Sequence, residues 1–276
     1  MNPQDWQTLL FVPVHQEKYL MSAIKHRPDA VILDLEDGVS PDEKGQARAV
    51  LAKHQGMLAK HKIDCVVRVN SDAAAARQDF SNMDLNATAA IMVPKCVDRR
   101  NLDRTISLVG AKQVPLIALI ESPAALPQLT HIAATPGLCA MMFGPEDYAA
   151  EFGLSADGAD FSMPAALVAA AAVAAKRLAI GIPGSLANFT DIEDFTETVR
   201  RARSMGYRAA AAIHPAQLAA IRVGFKPSAG EVKKAKDIVA SFSGKKKGAQ
   251  KLQGSMVDAP IVEQARRVLK LAGLNS

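Results

Sequence analysis

Eight short apolar runs recur along the chain, at residues 9–12, 30–35, 65–69, 90–93, 116–120, 140–143, 179–182 and 209–213. Each has the length of a buried strand, and the segments between them carry helix signals. Ser40-Pro41-Asp42-Glu43 combines an N-cap residue, a proline at the first helical position and acids in the first turn. Thr190-Asp191-Ile192-Glu193 predicts another helix start, and Gly206 suits a helix C-terminus just before the last run. Eight alternating strand–helix units predict an α/β fold, a (β/α)8 TIM barrel. An open doubly wound sheet is the competing architecture. No glycine-rich dinucleotide fingerprint follows any of the runs, which counts against it.

The barrel pattern ends near Val223, so the expected division is a catalytic barrel at 1–223 and a C-terminal helical extension at 224–276. The extension reads as a helix over 228–242, a flexible basic loop containing Lys245, Lys246 and Lys247, and an amphipathic segment over 261–271. It is not needed to close a barrel. Its Gly/Lys-rich linker gives it the slack to cover its own barrel or to reach a neighbouring subunit. The lysine run reads as a solvated loop in preference to a contact with phosphates.

Composition narrows the function classes. Basic residues are not interleaved with aromatics, so a net charge of +5 predicts no nucleic-acid partner. The most apolar tract, residues 163–175, is too short to span a bilayer and reads as a core helix, so no membrane partner is expected. The first residues lack the basic start and long apolar core of a signal peptide. Cys65, Cys96 and Cys139 are far apart and have neither metal-site nor disulfide spacing. They predict free thiols in the reducing cytoplasm.

The polar residues that carry chemistry stand where apolar runs end. Residues 116–147 read as a β-α-β unit, with a helix over 123–134, whose strands are followed by Glu121 and by Glu146-Asp147. In parallel α/β folds sites gather at that end of the strands, and two carboxylates there suit Mg²⁺. Acids so placed also serve as helix N-caps. The second run leads into Asp34, Glu36 and Asp37, and the third carries Arg68 inside an otherwise apolar stretch. A buried arginine needs a carboxylate or an anionic ligand. An internal ion pair of Arg68 with Glu36 or Asp37 is the plainer reading, but it leaves Glu121 and Asp147 without partners. Lys95, after the fourth run, is placed either to hold a substrate carboxylate or to bridge acids on the rim. His214, after the eighth, reads as a histidine held by a loop hydrogen bond in preference to a general base.

Several segments taken together resemble one family. They are LFVP (10–13), AVILDLEDGV (30–39), VRVN (67–70), VPK (93–95), IES (120–122), FGPEDYAAEFG (143–153), AIHPAQ (212–217) and GSMVDAP (254–260), in that order. The chain resembles the HpcH/HpaI aldolase / citrate lyase β-subunit family, on the branch of CitE-like proteins and the malyl-CoA and citramalyl-CoA lyases. The resemblance implies a TIM barrel, Mg²⁺ (or Mn²⁺), a small-molecule acyl-CoA substrate and a homo-oligomer, trimer or hexamer. Carried over by position, Glu121 and Asp147 are the implied metal ligands, with Glu121 also at the substrate. Arg68 contacts the substrate carbonyl or carboxylate, and Lys95 stands beside it. Glu36 and Asp37 brace the arginine and the metal's waters. Asp258 is implied to reach the active site of a neighbouring subunit and is the candidate acid/base, with a metal-bound water as the alternative.

The implied reaction is cleavage of a 3-hydroxy-3-carboxyacyl-CoA of the malyl, citramalyl or citryl type into a 2-oxo acid and an acyl-CoA. Two alternatives share the site: a malyl-CoA-type thioesterase, and the β subunit of a citrate lyase complex acting on a carrier-bound thioester. A pyruvate-type class II aldolase is disfavoured, because its histidine near the second strand is absent here. The sequence departs from the family pattern at Gln7-Thr8, where an Arg-Ser pair is usual, and at Val14, where Gly is usual. It also departs at Cys96-Val97 after the PK motif, and at Gly181, where Asp commonly follows the isoleucine.

Overall fold

The computed structural model describes residues 2–187, 189–242, 250–252 and 255–274. The chain divides into two compact units, Met1–Phe225 and Lys226–Ser276.

The first unit is a parallel barrel. Its strands are β1 (Thr8–Pro13), β2 (Ala30–Asp34), β3 (Asp64–Arg68), β4 (Ala90–Val93), β5 (Leu116–Ile120), β6 (Leu138–Phe143), β7 (Leu178–Ile180) and β8 (Ala210–Ala212). From β1 to β7 each pairs with its sequence neighbours, and β1 also pairs with β8. A parallel bridge between Ile180 and Ala209 joins β7 to β8. Among the described residues of this unit, nine helices connect and follow the strands: α1 (Glu17–His26), α2 (Lys44–Lys60), α3 (Ala73–Ser81), α4 (Arg99–Val109), α5 (Leu129–Ala133), α6 (Pro145–Ala150), α7 (Ser162–Ala174), α8 (Ile192–Met205) and α9 (Gln217–Phe225). This is the (β/α)8 TIM barrel that the spacing of the apolar runs predicts.

Alternation along the strands sorts the apolar residues into two cores. Leu9, Ile32, Val66, Met92, Ile117 and Met142 belong to the barrel interior, and Trp6 joins them just before β1. The Trp6 indole N–H donates to Asp64 Oδ2 at 2.8 Å, so this buried ring has its polar atom satisfied. Residues of opposite parity, such as Leu10, Val31, Leu33 and Val67, pack outward against the helices.

Local chemistry sets several element boundaries. The segment over 123–134, expected as one helix, is a 3₁₀ turn at Pro123–Gln128 followed by α5. Pro127 lies inside it and has no N–H to donate, which interrupts the α pattern. Pro41–Glu43 is likewise a 3₁₀ turn, and α2 starts only at Lys44. Ser40 bonds the Glu43 side chain in place of a backbone N–H. Asp191 caps α8 as anticipated, and Gly206 ends it with φ of +105°. The apolar tract over 163–175 forms α7, whose Ala165, Val168, Ala169 and Ala172 are buried. No helix among the described residues is long and apolar enough to cross a membrane. Cys65, Cys96 and Cys139 are free thiols.

The second unit has its own small core. Helices α10 (Ala229–Phe242) and α11 (Ala259–Leu271) bury Ala235, Ile238, Val262, Ala265 and Leu269 together with Val257. Between them, β9 (Gln250–Leu252) pairs antiparallel with β10 (Ser255–Val257). Asp258 caps α11 by accepting the Ile261 N–H, and Pro260 sits in the first turn. Lys245, Lys246, Lys247 and Gly254 lie outside the described residues.

Candidate active site

Strand register brings the first pair together. In the β2–β3 ladder Asp34 stands opposite Arg68, both at the carboxyl ends of their strands. Arg68 Nε donates to Asp34 Oδ1 and Nη2 to Asp34 Oδ2, each at 2.7 Å. Arg68 Nη1 lies 3.1 Å from Glu36 Oε2. The Phe11 ring sits 5.1 Å from the guanidinium carbon and covers one face. Burial alone would lower the Arg68 pKa. Hydrogen bonding to Asp34 and the charges of Asp34, Glu36 and Glu121 push it upward instead.

Asp34, one of the acids after the second run, is the main partner of Arg68 in place of the Glu36 or Asp37 expected from sequence, and it ends a strand whose five residues are all buried. Its carboxylate also accepts the N–H groups of Glu36 and Gly38, at 2.9 and 2.8 Å. A Cβ on Gly38 would lie 2.2 Å from Asp34 Oδ2, so only glycine permits that close approach.

Glu36 is buried, and its carboxylate makes ion pairs without a well-aligned hydrogen bond. Besides Arg68, it meets Lys95 Nζ at 3.3 Å, and Lys95 also lies 3.4 Å from Asp37. Burial raises the Glu36 pKa, with Arg68 pulling the other way. Of the two placements open to Lys95, it takes the one that bridges acids on the rim.

Glu121, directly after β5, is 5% exposed. Its Oε1 accepts the Lys95 backbone N–H at 2.6 Å, and its other oxygen has no hydrogen bond among the described residues. Burial drives its pKa up to about 8; the Lys95 N–H opposes this, while Glu36 and Asp147 add to it. A Cβ on Gly144 would come within 3.1 Å of Glu121 Cβ and 3.2 Å of Oε2.

The acidic pair after β6 separates by role. Glu146 Oε1 accepts from Ser185 Oγ at 3.0 Å and from Leu186 N–H at 2.6 Å, which ties down the loop after β7. The Asp147 carboxylate, in the first turn of α6, has no hydrogen bond or ion pair with another described residue. It lines the same cavity as Glu121, Arg68, Asp34, Phe11 and His214, with a volume of about 1030 Å³. A smaller pocket of about 580 Å³ brings Lys95 and Asp37 beside Glu121 and Asp147. His214 Nδ1 accepts the Ala216 N–H at 3.2 Å, the loop bond expected from sequence, and its ring stacks on Phe189 at 4.9 Å.

No group of three or more His, Cys, Asp or Glu side chains among the described residues could hold a metal ion. The two carboxylates Glu121 and Asp147 nevertheless fit a hard dication. Mg²⁺ keeps several waters and is bound through one or two carboxylates plus ligand oxygens. A carboxylate whose pKa is raised by burial and by neighbouring acids is one that a cation would relieve. The arrangement therefore offers fixed positive charge at Arg68, two acids facing one cavity, and space for an extended ligand. Arg68, Glu36, Asp37, Lys95, Glu121 and Asp147 come together at this rim. Asp258 belongs to the second compact unit.

Residues 7–215 match the family model described as HpcH/HpaI aldolase/citrate lyase. The chain is 32% identical over 260 residues to a (3S)-malyl-CoA thioesterase of Cereibacter sphaeroides, covering 94% of this chain and 90% of that protein. It is 29% identical to the citrate lyase subunit beta of Haemophilus influenzae, covering 96% of both. The structure of the protein CitE from Mycobacterium tuberculosis, in complex with magnesium, acetoacetate and coenzyme A, superposes with a TM-score of 0.80 at 29% identity. That match covers 98% of this chain and 99% of CitE.

Proposed function

Because the chain belongs to the HpcH/HpaI aldolase/citrate lyase family, whose members include lyases, we propose that it is a Mg²⁺-dependent carbon–carbon lyase. Its substrate is a 3-hydroxy-3-carboxyacyl-CoA of the malyl, citramalyl or citryl type, and its products are a 2-oxo acid and an acyl-CoA. The observation that carries the reading is the placing of a buried, incompletely bonded Glu121 in one cavity with Arg68 and with an Asp147 carboxylate that has no partner among the described residues. CitE, bound to magnesium, acetoacetate and coenzyme A, supports it.

Glu121 and Asp147 would hold the Mg²⁺, or Mn²⁺ in its place. When bound, the ion supplies Lewis-acid stabilisation of the charge that develops on the substrate's hydroxyl oxygen. Arg68 supplies a second, fixed positive charge. Asp34 takes two of its N–H groups in hydrogen bonds and Glu36 pairs with it by charge; a guanidinium has five N–H groups, which leaves donors for the substrate carbonyl or carboxylate. Because these donors are oriented beforehand, little reorganisation accompanies the change in charge. Asp37 and Lys95 complete the rim.

In the reaction the hydroxyl proton passes to the acid/base, and the hydroxyl carbon becomes the carbonyl of the 2-oxo acid. The bond to the carbon beside the thioester breaks, and its electron pair stays on that carbon as a thioester enolate. One proton then restores the acyl-CoA. Asp258 of a neighbouring subunit is the proposed donor, in a homotrimer or a larger oligomer with shared sites. The three free thiols suit a reducing compartment, the cytoplasm.

A thioesterase is the second reading, favoured by the 32% identity to a (3S)-malyl-CoA thioesterase. Incubating the purified protein with malyl-, citramalyl- and citryl-CoA and Mg²⁺, while following free thiol and 2-oxo acid together, separates the two. Release of 2-oxo acid supports the lyase, and thiol alone supports the hydrolase. Turnover of a carrier-bound thioester only would indicate a citrate lyase subunit.

A further inference from the structure

Glu36 holds its position against Arg68 and Lys95 although its carboxylate has no well-aligned hydrogen bond of its own. Its backbone is what is fixed. The Glu36 N–H is taken by Asp34, and its carbonyl by Lys44, from the first residue of α2. Lys44 Nζ lies 2.5 Å from Glu36 O, 2.6 Å from Leu35 O and 2.8 Å from Asn70 Oδ1. An ammonium has three N–H groups, so all of them are used inside the protein. This lysine has none left for a substrate.

Asn70 continues the chain of contacts. Its N–H and its Nδ2 both donate to Asp79 Oδ2, at 2.8 and 2.7 Å. Asp79 is fully buried, and its other oxygen accepts from Arg48 Nε at 2.8 Å. Arg48 and Lys44 lie one turn apart on α2. The pair therefore clamps the loops after β2 and β3 from both ends of one network, Arg48–Asp79–Asn70–Lys44. The two loops so joined carry Glu36 and follow Arg68. A charge-assisted bond to a carbonyl is worth more than a neutral one, and a partly buried cation with three ligands is costly to loosen.

We propose that Lys44 is a positioning residue for the reaction: by gripping the Leu35 and Glu36 carbonyls it sets the Glu36 carboxylate against Arg68, and so fixes the direction in which the arginine offers its free N–H groups. The effect on catalysis rests on the lyase reading. The positioning itself does not.

Lys44→Met keeps the length of the stem and removes the charge and the donors. With the thioester that wild type turns over, kcat is expected to fall roughly tenfold to hundredfold, the usual range for residues that orient a site from behind. The loss should nearly vanish when Lys44→Met is added to Glu36→Gln, because the lysine acts through that carboxylate. An equal loss in both backgrounds would mean that Lys44 merely anchors α2, and would overturn the proposal. So would a Lys44→Met variant within about twofold of wild type, a change too small for a positioning role. Amide exchange gives a second, activity-independent readout. In Lys44→Met the Glu36 and Gly38 amides should exchange at least about tenfold faster, with Val66 and Val67 unchanged. Unchanged Glu36 and Gly38 rates would overturn the proposal even if wild type cleaves no thioester, whereas faster exchange in an inactive protein would contradict only the lyase reading. If Lys44→Met does not fold, Lys44→Gln, which keeps an amide donor, is measured in the same two ways with the same outcomes.

Discussion

Arg68 meets the Asp34 carboxylate edge-on, with Nε and Nη2 each 2.7 Å from a different oxygen. Register sets this geometry, since the two residues are opposite each other in the β2–β3 ladder. Two predictions separate its contributions. Arg68→Lys keeps the charge and loses the planar fork, so kcat should fall at least about hundredfold while the protein stays folded. If the variant unfolds and no substrate stabilises wild type, Arg68 is a structural ion pair only. Asp34→Ala strands a buried cation and two backbone N–H groups. It should cost about 3–5 kcal/mol in denaturant unfolding, and a loss below about 1 kcal/mol would contradict the pairing.

Glu121 makes stability depend on pH in a particular direction. Its pKa is raised from 4.5 to about 8 in the folded protein, first by burial. A raised folded pKa contributes stability that is full below the unfolded value and is lost as pH rises through the folded one. Metal-free protein should therefore lose Tm as pH rises from about 5 to about 8. Mg²⁺ competes with the proton, so the Tm gain on adding Mg²⁺ should be larger at the higher pH. Glu121→Gln should abolish that gain and the activity while the fold survives, and Asp147→Asn should likewise abolish activity. A Mg²⁺ gain that is flat across this range in wild type would count against Glu121 as a ligand.

Gly144 leaves no space beside Glu121. A methyl group there would press on Glu121 Cβ and Oε2 at 3.1 and 3.2 Å. Gly144→Ala should weaken Mg²⁺ binding at least about tenfold, measured by titration calorimetry. The control is Gly45→Ala on α2, where nothing lies within 4 Å of the added carbon. That change should leave activity unaltered and add about 0.5–1 kcal/mol of stability. Equal Mg²⁺ affinity in Gly144→Ala and wild type would show that the Glu121 carboxylate tolerates displacement.

Much of this was legible in the sequence, because apolar runs of strand length separated by helix signals leave few architectures. Glu121, Asp147 and Arg68 stood out as charges at the ends of such runs. Asp34 did not stand out as Arg68's main partner, because pairing across strands depends on register, and only the folded ladder reveals which residues face each other. Lys44 was hidden for a related reason. A lysine in the first turn of a helix reads as a solvated charge, and nothing local says that two carbonyls nine and eight residues back will meet it. Pro127 is visible in the sequence, but the apolar spacing around it still reads as one helix, and the missing N–H shows its effect only as the 3₁₀ turn before α5.

Asp258 carries the proposal of sites shared between chains. It caps α11 through one oxygen, at the head of a helix in the second unit. Mixing inactive Asp258→Ala with inactive Glu121→Gln under conditions of subunit exchange should restore part of the activity, since some interfaces then pair an intact metal site with an intact Asp258. Sedimentation should show an oligomer. Full activity from a monomer, or no recovery despite demonstrated exchange, would contradict the sharing.

The most direct test of the lyase reading is the product stoichiometry of the wild-type protein on a single turned-over thioester, with Mg²⁺ and then with the metal chelated. One 2-oxo acid is expected for each acyl-CoA formed, with no free thiol, and chelation should stop both products together. Free thiol appearing in step with substrate loss, with no 2-oxo acid, would contradict carbon–carbon cleavage and make the protein a thioesterase.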